Sequence, residues 1–322
     1  MAFISRKLAK ALVLAILCSL FFCQSQVSCV KHYLVVGNIN YCYDDVEKCL
    51  HVCMYDRGIE TEIKRDDFEN FMAGKDVKSV SIEDTTERRD KFLYKILNRK
   101  GLCNNLAGYV ISLFPDTSPT DSLRKIGRRA FSGCLSLESI RISKNVTEIG
   151  KSAFSNCRSL REVQLPDSLR KISDSAFRCS ALKSANIPKN VTEIEEEAFR
   201  ECKSLEKVEL PDSLRRIGAL AFKECLALKS IRIPKNVDNI DSEAFAGCTS
   251  LEEVQLPDSS FRIGNGAFMK CAALKSIIVP KRVTKIGEQA FAYCNSLKVA
   301  YVPADAKIGE YAFPSTTNVI RY

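Results

Sequence analysis

Histidine is nearly missing from this chain: 322 residues contain only His32 and His51. Both precede residue 103, so the longer part of the sequence has no imidazole to act as a general base or to ligate a metal. No G-x-S-x-G elbow, phosphate-binding glycine loop or H-E-x-x-H pair occurs. Carboxylate pairs such as Asp238 with Asp241, and the run Glu195 to Glu197, fall in turns on the outer side, where solvation is the ordinary outcome. The sequence therefore reads as a non-enzyme with no cofactor and no catalytic residue, an extracellular enzyme being the distant alternative. Interleaved aromatics and arginines suited to base stacking are also absent, which argues against nucleic acid as a partner. No second apolar span follows the N-terminal one, so no C-terminal membrane anchor is expected.

What the chain does have is a period. The phrase Ala-Phe-x-x-Cys recurs with its phenylalanines at Phe131, Phe154, Phe177, Phe199, Phe222, Phe245, Phe268, Phe291 and Phe313, in steps of 23 residues broken by two steps of 22. A fixed period of this size with apolar residues in constant phase requires a stacked solenoid. Each unit is too small to bury its own apolar side, so its neighbours supply the cover. Within one unit, Leu205 to Pro211 alternates apolar and polar and predicts a short strand with Val208 and Leu210 inward, ended by Pro211. Leu214 and Ile217 then turn inward, Gly218 supplies a tight bend, and Ala221-Phe222 is expected on a short helical turn.

The unit C-x-S-L-x-x-V-x-L-P-x-S-L-x-x-I-G-x-x-A-F resembles the BspA-type leucine-rich repeat of bacterial and protist surface antigens, over about residues 117–313. The resemblance implies an α/β repeat solenoid: a right-handed leucine-rich-repeat arc with a concave parallel β-sheet and short helical or 3-10 turns. It also implies a secreted or cell-surface protein concerned with adhesion and host contact, and no catalytic residues.

Ahead of the repeats, residues 1–29 read as a signal peptide. Arg6, Lys7 and Lys10 precede a largely apolar run of 12 residues from Ala11 to Phe22, too short for a membrane span, and cleavage falls after Ser25 or after Cys29. Retention as an anchor is the alternative. Residues 30–102 read as an N-terminal capping region with a degenerate repeat: Val77 to Ile82 resembles a repeat strand, and Phe92, Leu93, Ile96 and Leu97 have helical spacing. The solenoid is assigned to 103–322, with an insertion over 117–120. It carries 32 basic against 24 acidic residues from residue 121 onward.

Cys134, Cys157, Cys179, Cys202, Cys225, Cys248, Cys271 and Cys294 share one repeat position and are expected to stack as reduced, buried thiols. Rungs ~4.8 Å apart aim parallel side chains alike, which is poor disulfide geometry. Cys42, Cys49 and Cys53, with Cys29 if it is retained, are the disulfide candidates of a secreted cap, and no metal site is assigned to them. Asn145-Val-Thr147 and Asn190-Val-Thr192 are glycosylation candidates.

The outward central position of each strand reads Arg141, Gln164, Asn186, Glu209, Arg232, Gln255, Ile278 and Tyr301. This concave face is the candidate site for a protein or glycan ligand, for example a host or extracellular-matrix protein. Its last two rungs turn apolar, and the segment 314–322 is expected either to leave them as a contact point or to fold over them as a cap. The alternative function is a structural or scaffold repeat protein of the secretory pathway. Units alternate between Pro-Lys-Asn-Val and Pro-Asp-Ser-Leu types, so that Lys144, Asp167, Lys189, Asp212, Lys235, Asp258 and Lys281 form a column of alternating charge expected to stabilise the stack.

Overall fold

A triplet such as Ser-Ile-Arg or Lys-Val-Glu buries only its central residue when extended, so each repeat can add one short strand to a sheet with a single buried face. The computed structural model of the chain describes residues 124–322 except Ser136, Ser143 and Ser260, together with the backbone of the strands Lys31–Val36, Ile39–Asp44, Cys49–Met54, Ser79–Asp84 and Val110–Ser112. Two compact units divide the chain, Met1–Glu87 with Ile111–Phe114, and Arg88–Val110 with Pro115–Tyr322.

In the first unit, Lys31–Val36, Ile39–Asp44 and Cys49–Met54 form an antiparallel meander, and Cys49–Met54 pairs in parallel with Ser79–Asp84. The last of these overlaps the strand expected at 77–82. The helix expected over 88–100 and the insertion at 117–120 lie outside the described residues.

In the second unit each rung contributes two strands. The three-residue series includes Ser184–Asn186 paired in parallel with Lys207–Glu209, Ser230–Arg232 with Glu253–Gln255, and Ser276–Ile278 with Val299–Val302. A series of two-residue strands, from Lys125–Ile126 to Lys307–Ile308, forms a parallel sheet of nine along a second side. The sequence pattern does not show this second sheet, because two residues are too few to display an alternation. Val208, Leu214 and Ile217 are buried as expected, whereas Leu210 is only half-buried. The inner equivalents in the Pro-Lys-Asn-Val rungs, Ile187 and Ile233, are buried, so the two unit types differ in depth as well as charge.

The third side is built around the phenylalanines. Phe131 through Phe313 stack face to face with ring centroids 5.1–5.3 Å apart and planes within 11° of parallel. At that separation the rings are offset, the arrangement an aromatic quadrupole favours over direct overlap. Backbone bonds hold the spacing: the Phe154 amide donates to the Ala176 carbonyl at 2.7 Å and the Phe222 amide to Ala244 at 2.7 Å, and the other rungs repeat the pattern.

No helix forms here among the described residues; the Ala-Phe segments are overlapping β-turns. The residues two before and two after each phenylalanine from Phe131 to Phe291 take positive φ, as at Glu197 (55°) and Glu201 (60°), which interrupts helical geometry; at Phe313 only the preceding one, Tyr311, does. Fourteen such positions are not glycine. Left-handed backbone costs an L-residue roughly 1–2 kcal/mol. Here it turns alternate amides toward the next rung, so that Glu197 N–H reaches Ala219 O at 3.0 Å and Glu201 N–H reaches Lys223 O at 2.8 Å. Gly218 differs in kind. Its φ is ordinary, but a Cβ there would sit 2.7 Å from the Glu195 carbonyl carbon, so it provides clearance between rungs rather than a bend.

The cysteine column is corrected in two places. Cys134 is disulfide-bonded, and since the other seven described cysteines are free its partner lies outside the described residues. Cys179 is not in the column. The rung after Phe177 is one residue short, Ser180 takes the column position, and Cys179 falls on a half-exposed left-handed residue (φ 57°). The remaining thiols have a specific partner. The Phe177 carbonyl accepts the Ser180 amide at 3.1 Å and the Cys202 thiol at 3.1 Å, and the Phe222 carbonyl accepts the Cys225 amide and the Cys248 thiol, each at 3.2 Å. Each thiol thus satisfies the second lone pair of a buried carbonyl one rung back.

The alternation of unit types has a hydrogen-bond counterpart. Asn190 Nδ2 donates to the Asp167 carbonyl at 2.7 Å and Asn236 Nδ2 to the Asp212 carbonyl at 2.6 Å. In the intervening rungs Ser168 Oγ donates to the Val146 carbonyl at 2.6 Å and Ser213 Oγ to the Val191 carbonyl at 2.7 Å. In the charge column the one ion pair among the described residues is Lys189 with Asp167, at 3.9 Å between side chains 75% and 79% exposed, a geometry worth close to nothing.

Two predictions follow from these ladders. Asn190→Ala should cost about 1 kcal/mol through loss of the bond to Asp167 O, and Lys189→Ala no more than about 0.3 kcal/mol. Equal shifts of the two in urea denaturation contradict this ordering. Burial also pushes the Cys157, Cys202 and Cys248 thiols up from 9.0 to about 12. The unfolded chain therefore loses these protons first, and each such group removes about 1.4 kcal/mol of stability per pH unit above ~9 until its folded value is reached. Thermal stability should fall steeply above pH ~9, and less steeply in a Cys202→Ser/Cys248→Ser variant; parallel curves refute the assignment.

Candidate recognition face

The three-residue strands keep their outer side open. Arg141, Gln164, Asn186, Glu209, Arg232, Gln255, Ile278 and Tyr301 are all exposed and lie in one register row, Arg141 beside Gln164, Asn186 beside Glu209, Arg232 beside Gln255 and Ile278 beside Tyr301. Regular pairing of the backbone puts them there, because a buried central residue forces both its neighbours outward.

Along the polar rungs the side chains engage one another. Arg141 Nε donates to Gln164 Oε1 at 2.9 Å, Gln255 Nε2 to Glu253 Oε1 at 2.7 Å, and Lys207 pairs with Glu209 at 2.6 Å. Any ligand over these rungs would have to exchange existing hydrogen bonds for its own, so polar contacts there would contribute specificity more than net affinity.

The end of the face differs. Ile278 is 64% exposed and Tyr301 40%. The segment after Phe313 does not fold over them. It forms one more strand, Asn318–Arg321, parallel to Val299–Val302, with Ile320 beside Tyr301. The Tyr322 hydroxyl donates to the Val279 carbonyl at 2.8 Å and Arg321 Nη1 to the Pro303 carbonyl at 2.7 Å, fastening this strand at its end. Ile320 therefore extends the apolar row to three rungs. The repeat pattern conceals it because the link from Phe313 to this strand is three residues shorter than the link from Phe291 to Val299. The Asn-Val-Ile-Arg alternation is the one signal that marks it.

The acidic run on the outer side is engaged rather than simply solvated. Glu195 pairs with Lys171 at 2.9 Å, which holds that ammonium above its usual range, and accepts the Asp174 amide at 3.1 Å. Glu197 pairs with Arg178 at 3.3 Å and with Arg200, and Asp241 pairs with Arg216 at 2.9 Å. Among the described residues no group of three or more His, Cys, Asp and Glu could hold a metal.

Asn190 is exposed at the turn after a face strand, and Asn145 is half-buried at the equivalent turn two rungs away. Cys29 and the side chains of Cys42, Cys49 and Cys53 lie outside the described residues. In backbone register Cys42 stands opposite His51, Cys49 opposite Asp44 and Cys53 opposite Asn40.

A parallel solenoid with one strand-forming triplet, one buried isoleucine at the corner strand and one stacked phenylalanine per rung is a leucine-rich-repeat architecture. The profile of the "BspA type Leucine rich repeat region (6 copies)" matches residues 114–227 and 215–321, and the chain belongs to that family. Among solved structures, a leucine-rich repeat protein from Bacteroides ovatus is 26% identical with a TM-score of 0.55, over 89% of this chain and 70% of that one. A leucine-rich repeat protein from T. pallidum is 26% identical with a TM-score of 0.49, over 76% of this chain and 91% of that one. A leucine-rich cell surface protein from Faecalibacterium prausnitzii is 23% identical with a TM-score of 0.43, over 92% of this chain and 96% of that one. No protein of curated description matches.

Proposed function

We propose that this protein is a secreted or surface-displayed recognition and adhesion module that binds a protein or glycan through its strand face. The observation that carries this reading is the row of exposed side chains in fixed register, ending in Ile278 and Tyr301. Residues that do not hold the stack together vary from rung to rung along this row, whereas those beneath it repeat. The basic start and apolar run of residues 6–22, and the surface antigens the repeat resembles, support an extracytoplasmic setting.

The test uses the labelled full chain on wells coated with fibronectin, collagen or heparin, and on intact cells. Binding to at least one of these should be saturable and should weaken about tenfold in an Arg141→Glu/Arg232→Glu variant with an unchanged thermal transition. Binding indifferent to these changes rejects the face as the site. Retention of the chain inside the secretory pathway, with no binding, supports a scaffold role instead.

Secretion has an independent readout. Expressed through a eukaryotic secretory route, the chain should carry glycan at Asn190, where the side chain is exposed and keeps a second N–H after modification. Unchanged gel mobility on N-glycanase treatment rejects it.

A further inference from the structure

We infer that the apolar row Ile278, Tyr301 and Ile320 docks an acidic polypeptide segment bearing branched aliphatic or aromatic side chains; the inference rests on the strand face being a recognition surface. Two independent features meet at this row. The first is apolar area left open. Ile278 is the more exposed at 64%, and register pairing places Tyr301 between it and Ile320. The three side chains span about 10 Å, two strand spacings. Of the two arrangements open to the segment 314–322, it lies alongside as a further strand, leaving Ile278 and Tyr301 exposed and adding Ile320, itself half-buried.

The second is charge. Residues 270–322 contain eight basic side chains against three acidic, so this quarter of the repeats holds more than half of their net positive charge. On the face itself, Lys275 and Lys298 flank the row on adjacent rungs, joined by the Lys298 amide donating to the Lys275 carbonyl at 3.0 Å. Lys275 is paired with Glu252 at 3.2 Å, while Lys298 has no ion pair among the described residues. The strand positions 276–278, 299–302 and 318–321 contain no carboxylate, whereas the neighbouring triplet Glu253–Gln255 does. A positive edge along one side of an apolar row complements a segment that carries carboxylates beside apolar side chains.

The row itself favours a polypeptide over an acidic glycan. Ile278 and Ile320 offer only aliphatic surface, which gains from covering by apolar atoms and gains nothing from hydroxyl groups that lose water in the contact. An extended segment presents side chains alternately to one side, so it can seat apolar groups on the row while its intervening carboxylates reach the lysines.

The experiment measures binding of the labelled full chain to a random copolymer of glutamate and tyrosine, with polyglutamate and heparin as comparison probes. Expected are saturable binding to the copolymer, weaker binding to both comparison probes, and about a tenfold loss in Ile278→Ser and in Lys298→Glu with the thermal transition retained. Tyr301→Ser should behave likewise, which keeps the test decisive should one variant fail to fold. No binding to the copolymer, or heparin binding of equal strength that is unaffected by Ile278→Ser, overturns the inference. Neither result bears on the wider face reading, which is tested separately at Arg141 and Arg232.

Discussion

In a one-dimensional stack the cover for any inner atom is the equivalent atom one rung away. The phenylalanine column shows what this demands. Rings 5.1–5.3 Å apart shield each other only if every rung places its ring at the same height and angle, and the Phe amide to Ala carbonyl bonds impose that height. Each fully buried ring contributes roughly 2 kcal/mol, but only within the stack. The other inner columns inherit the same spacing, so a residue unsuited to one rung disturbs its neighbours on both sides.

That constraint accounts for features that are unfavourable one rung at a time. Left-handed residues such as Leu220 (φ 60°) persist because they aim an amide at the next rung's carbonyl. Buried thiols persist because each completes the hydrogen bonding of a Phe carbonyl that would otherwise hold one bond in a dry interior. Asparagine and serine alternate in the turns because either can reach the preceding rung's carbonyl, from a different position in the turn. Outward positions on the strand face escape these demands. They are free to differ from rung to rung, and it is there that polar rungs give way to Ile278, Tyr301 and Ile320.

Much of the architecture was legible because a repeated sequence reports the same burial pattern many times over. The phase of Phe222, Val208, Leu214 and Ile217 identified the inner columns, and alternation located the outward row residue by residue. Elsewhere the one-letter pattern was ambiguous. After Phe177 the chain is one residue short, and Cys179 or Ser180 could equally have filled the column; the turn repeats its hydrogen bonds from the phenylalanine onward, so the third residue, Ser180, enters the column at 3% exposure and Cys179 takes the left-handed position of Asn156 and Glu201. The turns around Ala-Phe were expected to be helical because a small and a large apolar residue suit a helix. The positive φ on either side was hidden, since residues as varied as Arg129, Glu243 and Tyr311 occupy it.

The sequence alone determined the period, the parallel stacking, the inner columns and the outward row of the three-residue strands, since each follows from the spacing of apolar residues against a known strand geometry. Only the tertiary structure decided what depends on the neighbouring rung. It decided where the shortened rung takes up its missing residue and which carbonyls the thiols and asparagines satisfy. It also made the last segment a strand beside Tyr301 rather than a lid upon it, because hydrogen bonds to Lys298, Val302 and Pro303 hold that segment along the sheet edge.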